Sequence, residues 1–206
     1  MGINDTCTSK SSTDNLRIRH TKEAAERYYR ENPDSLIPLF EKELRELGFD
    51  FEVSSQTFGF IPKYKKDILP IAVRYYQVAK KLKKTNEQIH FMGFFRIKGF
   101  DDIVPMLLED YYSKETDDLT RWFISDCLYY IRSRKFVREY QEISSNKIFG
   151  INRQMIILLQ GKLKEETSVP VLVALLEDDE VCLQAICALG DYKPEDFRCY
   201  FERFKD

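Results

Sequence analysis

The sequence predicts an all-α protein built as a repeat array, an α-solenoid. Three observations carry this. Apolar residues recur at helical spacing along most of the 206-residue chain. Glycine and proline number only 8 and 7, too few for the turn-rich strands of an all-β fold. A proline in an apolar setting also returns at intervals: Pro38 in LIPLF, Pro70 in ILPIA, Pro105 in IVPML and Pro170 in SVPVL, spaced by 32, 35 and 65 residues. The last gap is close to two intervals, and Phe136-Val137-Arg138 stands near the missing place without its proline. A unit of about 33 residues therefore recurs.

Each unit reads as two helices, with the proline near the start of the first, where a missing N–H costs little. The expected pairs are 68–80 with 85–97, 102–113 with 117–131, 135–144 with 151–162, and 169–176 with 180–189. A final helix over 195–204 shows Phe197, Tyr200, Phe201 and Phe204 as one apolar stripe, so the array ends on a half-repeat, either a cap or the start of further sequence. Before the array, a helix is expected over 35–47, with Leu36, Leu39, Phe40, Leu44 and Leu47 on one stripe and Gly48 as its stop. Residues 50–63 break the rhythm and read as a long loop. The organisation expected is a flexible polar arm over 1–20, an irregular N-terminal unit over 21–64, and repeats over 65–206. One helical pair cannot bury its apolar face alone; stacked neighbours bury a continuous core.

Composition narrows the function. Apolar residues make up 43%, enough for a packed core. Lys and Arg total 32 against 34 Asp and Glu, so no whole-chain basic footprint for nucleic acid exists. The longest clean apolar run, from Val169 to Leu176, is eight residues, against roughly 18 for a membrane span. The first twenty residues lack the apolar core of a secretory signal, and the five cysteines are an odd count. A cytoplasmic protein without membrane contact is the expectation. Gly2 with Thr6 fits the loose myristoylation pattern, which is too short to outweigh an inert arm.

Residues 168–192, SVPVLVALLEDDEVCLQAICALGDY, resemble the HEAT-like repeat, whose pattern is roughly V-P-x-L-x-x-L-L-x-D, then V-R, then A-A-x-A-L-G. Val169, Pro170, Leu172, Leu175, Leu176, Asp178, Val181, Ala185, Ala188, Leu189 and Gly190 fit, and Cys182 stands where the repeat has Arg. The preceding unit supplies Arg153 and Gly161, and repeat register places Arg121 and Glu87 at the same position further back. The resemblance implies a right-handed α-solenoid of about five repeats. It also implies that Arg121 and Arg153 join turn aspartates in a hydrogen-bonded ladder between repeats, interrupted at Glu87 and Cys182.

Catalytic motifs are not found. No phosphate loop, nucleophile elbow or H-E-x-x-H occurs, and only His20 and His90 are present. His90, among Phe91 and Met92, reads as a boundary core residue rather than a base. Cys182 and Cys187 stand about 140° apart on a helix, the wrong geometry for one metal. No cofactor, metal or catalytic residue is therefore expected. The carboxylates of Glu109-Asp110, Asp117-Asp118 and Glu177-Asp178-Asp179-Glu180 read as solvated helix ends. Lys63–Lys66, Lys80–Lys84 and Arg132–Arg138 form basic turns.

The first reading is a non-enzymatic scaffold that presents a concave face to a protein or peptide, with Gln88, Arg121, Trp122, Arg153 and Gln154 as contact residues. Trp122 follows the ladder position, and Trp and Arg are enriched among binding hot spots. The alternative is a DNA-binding protein similar to the HEAT-like alkylpurine DNA glycosylases, carried by the basic turns; the negative net charge argues against it, and their catalytic Asp maps onto no residue here. Nothing in the sequence indicates an oligomeric state.

Overall fold

A computed structural model describes residues 23, 26–49, 61–192 and 197, and all regular structure among them is helical. The expected arm over 1–20, most of the loop expected over 50–63, and the final helix apart from Phe197 lie outside the described residues. The chain divides into two compact units, Met1–Ile71 and Ala72–Asp206.

In the first unit, residues 26–31 are helical and α1 covers Ile37–Glu46. Pro38 sits in the first turn of α1, and Phe40 and Leu44, one turn apart, are its buried residues. The Tyr29 hydroxyl donates to Glu41 at 2.9 Å and joins the two helices.

Helix α2, Ile61–Lys81, begins seven residues before the expected start. Pro62 takes the first-turn place, so Pro70 lies inside the helix rather than at its head. Its ring is exposed, so the carbonyl it leaves unpaired is on the side that water reaches. The division between the units falls within α2.

The second unit continues with α3, Thr85–Met92, closed by a 3-10 turn where one longer helix was expected. Then come α4 (Val104–Tyr112), α5 (Asp118–Ile131), α6 (Val137–Ser145), α7 (Gln154–Leu163), α8 (Val169–Ala174) and α9 (Cys182–Gly190). Repetition is visible in local conformation. A one-turn 3-10 segment precedes each of α4, α6 and α8, at Asp101–Ile103, Arg134–Phe136 and Glu166–Ser168. Pro105 and Pro170 occupy the first turns of α4 and α8. Helices α5 and α7 end on Arg132 and Lys164, both left-handed with φ of 55° and 54°. Helix α5 starts on Asp117, which accepts from the Thr120 amide at 2.8 Å, a cap worth roughly 1 kcal/mol.

Short connections fold α4 on α5, α6 on α7 and α8 on α9, and the second helices α3, α5, α7 and α9 pack successively side by side. Long-range polar ties span one unit: Arg153 to Asp178 is a step of 25 residues, and the Cys127 thiol donates to the Met92 carbonyl across 35. The tightest approach is between α7 and α9. A methyl group on Gly161 would stand 2.6 Å from the Ala188 Cα and 2.7 Å from its carbonyl oxygen, so only glycine permits this spacing. Gly161→Ala should therefore cost about 2–3 kcal/mol in urea unfolding, whereas Gly190→Ala, with nothing within 4 Å, should cost less than about 1 kcal/mol. Equal losses would place the close packing elsewhere.

Candidate functional site

The five residues expected to bind a partner separate by burial. Gln88 is buried on α3. Arg153 has no exposed side-chain surface. Its Nε donates to the Gly150 carbonyl at 2.8 Å, Nη1 to the Ser144 carbonyl at 3.2 Å and to Asp178 at 2.9 Å, and Nη2 to Glu180 at 3.0 Å. Gly150 turns that carbonyl inward with φ 49° and ψ −134°, a pairing that residues with a Cβ avoid. A guanidinium is always charged, and its buried charge is offset here by two carboxylates and two carbonyls. Arg153 thus locks α6, its own turn and the next helical pair together.

Arg121 is mostly buried too, and donates to the carbonyls of Tyr111, Ser113 and Thr116 and to Asp118. Of the two expected ladder arginines, Arg153 reaches the following pair, while the hydrogen bonds of Arg121 go to its own pair. Between those pairs the links are instead Asn152 donating to Asp118 at 3.0 Å, Ser125 donating to the Asn152 carbonyl at 2.9 Å and Lys135 paired with Asp101. Trp122 and Gln154 retain access to solvent. Trp122 is 37% exposed and meets Phe123 edge-on at 5.1 Å, and Gln154 donates to the Glu180 carbonyl at 3.4 Å.

Around Trp122 the solvent-facing side of the second helices carries several apolar residues. Leu119 lies one turn before it and is 54% exposed; Leu183, in repeat register on α9, is 68% exposed. Met155 and Leu158 on α7 and Ile186 on α9 are half-buried in the same stripe. Leu119 and Met155 escaped sequence analysis because each looks like core until the buried face of its helix is known. The signal was there: on α5, Ile124, Cys127, Leu128 and Ile131 already complete a buried stripe, which leaves Leu119 and Trp122 over.

The turn carboxylates correct a second expectation. Asp110 is buried rather than solvated, held by the Tyr76 hydroxyl and by Lys80. Asp126 and Asp178 are buried as well, paired with Arg96 and Arg153. The Arg153 hydrogen bond holds the Asp178 carboxyl below its ordinary range, while burial outweighs Arg96 and pushes Asp126 up. The structure places Lys63–Lys66 and Lys80 in α2 rather than in turns; Lys80 pairs with Asp110, Arg134 with Glu165 and Lys135 with Asp101, while Arg132 forms no ion pair among the described residues.

No group of three or more His, Cys, Asp or Glu among the described residues is arranged to hold a metal ion, and no helix among them is long and apolar enough to cross a membrane. Compared with family models, with curated proteins and with solved structures, the chain matches none.

Two outcomes test this arrangement. Arg153→Met removes the charge that balances Asp178 and should cost about 3–5 kcal/mol in chemical denaturation, and Arg153→Met with Asp178→Asn should recover part of that loss. A fully additive double variant would show that the pair is not coupled. His90 stands edge-on to Phe91 and Phe94, and burial pushes its pKa down from 6.5 to about 4. The unfolded chain takes up that proton first, so stability is complete above pH 6.5 and falls as pH drops towards 4, by an order of 3 kcal/mol. His90→Phe should flatten the stability profile between pH 6.5 and 5, which urea titrations at fixed pH would read; an unchanged profile would contradict a half-buried imidazole held neutral by its surroundings.

Proposed function

We propose that this chain is a non-enzymatic interaction module, a HEAT-like α-solenoid whose second helices line a concave face that binds a protein or peptide. The observation that carries the proposal is the exposed apolar stripe through Leu119, Trp122 and Leu183, a surface that a chain with no partner gains nothing by keeping wet. The close approach of α7 and α9 at Gly161 supports the concave assignment, because the side of a repeat array with the closer-packed row is the inside of the bend. Within this reading, Trp122 and Gln154 are contact residues, and Arg121 and Arg153 stiffen the face from behind. The countercharges on Lys80, Arg134 and Lys135 favour a protein over a phosphate backbone.

A photo-crosslinking residue placed at Leu183 and, as a control, at Glu142 on α6 tests this in extracts of the source cells. A discrete adduct at 183 with none at 142 is the expected outcome. Adducts at 142 alone, or the same smear at both, would put the binding surface elsewhere.

A further inference from the structure

The apolar stripe runs between two edges of opposite charge. At the N-terminal ends of the second helices, Asp117 and Asp118 stand against Arg121, and Asp178, Asp179 and Glu180 stand against Arg153 and Lys147. Each cluster keeps a net negative charge. The arginines there are withdrawn into the fold, whereas the Asp118 side chain is 86% exposed. At the opposite ends, in the turns that follow α3, α5 and α7, Arg96, Arg134 and Lys135 are paired with Asp126, Glu165 and Asp101, which leaves Lys98, Arg132 and Lys164 beside the exposed Asp102 and Glu166, a weak excess of positive charge. Arg132 lies 5.6 Å from the centre of the Tyr129 ring, and none of Lys98, Arg132 and Lys164 forms an ion pair among the described residues.

Packed helices lie about 8–10 Å apart, so α5, α7 and α9 repeat their surface at that pitch. On a ligand helix, residues seven apart are separated by about 10.5 Å, close to the same pitch. A helix laid along the row, across the second helices, would therefore place successive apolar turns on Trp122, on Met155 and on Leu183. Its two flanks would lie over the two charged edges.

We infer that this face takes an amphipathic helix of about 20 residues with charge-segregated flanks: an apolar stripe on the Trp122–Leu183 surface, Lys or Arg along the flank over Asp118 and Asp179, and Asp or Glu along the flank over Arg132 and Lys164. The inference rests on the interaction-module reading and names the chemistry of its partner. Apolar burial supplies the affinity. The edges supply selectivity, because a helix with like charges on both flanks meets repulsion at one of them.

The probes are three synthetic helices of about 20 residues without tryptophan, sharing one apolar stripe and carrying Lys on one flank and Glu on the other, Glu on both, or Lys on both. Trp122 is the single tryptophan of the chain, so its emission reports contact at the face without a label. The expected result is an emission shift with all three, binding about tenfold tighter for the segregated helix, and a preference that shrinks in 0.5 M salt, as it must if the edges cause it (about a 4 Å screening length). Asp179→Lys should weaken the segregated helix and strengthen the one with Glu on both flanks. Equal affinities for the three would overturn the charge inference and leave the binding face standing. No emission shift up to about 1 mM peptide would overturn the helical partner, and the crosslink at position 183 then decides separately whether the face binds anything.

Discussion

Arg153 carries a charge that cannot be neutralised, in a place with no contact with water, and the second half of the protein is arranged around that fact. Its guanidinium draws in the last turn of α6, the glycine turn at Gly150, and two carboxylates at the start of the next helical pair. Withdrawing Asp178 alone would leave the Arg153 charge buried without its buried carboxylate. The spacing of α7 and α9 is then finished by contact, with Gly161 against the Ala188 backbone. Electrostatics sets which pairs meet, and packing sets how closely.

The same helices bury a few polar groups within an apolar core and leave some apolar residues at the surface. Helix α5 turns Ser125 inward, where it donates to the Asn152 carbonyl at 2.9 Å, and turns Trp122 outward. Helix α7 turns Gln160 inward, donating to Ser144 at 2.6 Å, and leaves Met155 and Leu158 half-covered. The buried donors of Ser125 and Gln160 are paired, so a slip of the helices would leave them unpaired at about 1–3 kcal/mol each, although the Gln160 Oε1 itself is buried without a partner. A face held this rigidly loses little freedom when something binds to it.

Much of the fold was legible because the repeat is written in residues with strong local consequences. Pro38, Pro105 and Pro170 mark helix starts, and the interval between prolines reappears as Arg132 and Lys164, two left-handed caps 32 residues apart. Pro70 misled because Pro62 obeys the same rule eight residues earlier, and only the helix itself shows which of the two begins it. Asp110 misled for a different reason. It lies beside Glu109, which is exposed, and its burial depends on Tyr76 and Lys80 arriving from another helix some 30 residues away. The candidate face was half legible: register found Trp122, but Arg153 looked like a binding residue because nothing local reveals that the carbonyls of Ser144 and Gly150 converge on it.

Three of the links between successive pairs use different residue types. Tyr76 and Lys80 meet Asp110, Asn152 meets Asp118, and Arg153 meets Asp178 and Glu180. An array of similar units joined by identical contacts could be shuffled, shortened or mispaired during folding with little penalty, because any unit would accept any other. Here each junction reads as a distinct address. A pair set against the wrong neighbour would bury Arg153 facing no carboxylate, or Asp110 facing no hydroxyl. Such junctions favour the order of the units along the chain over other orders in space.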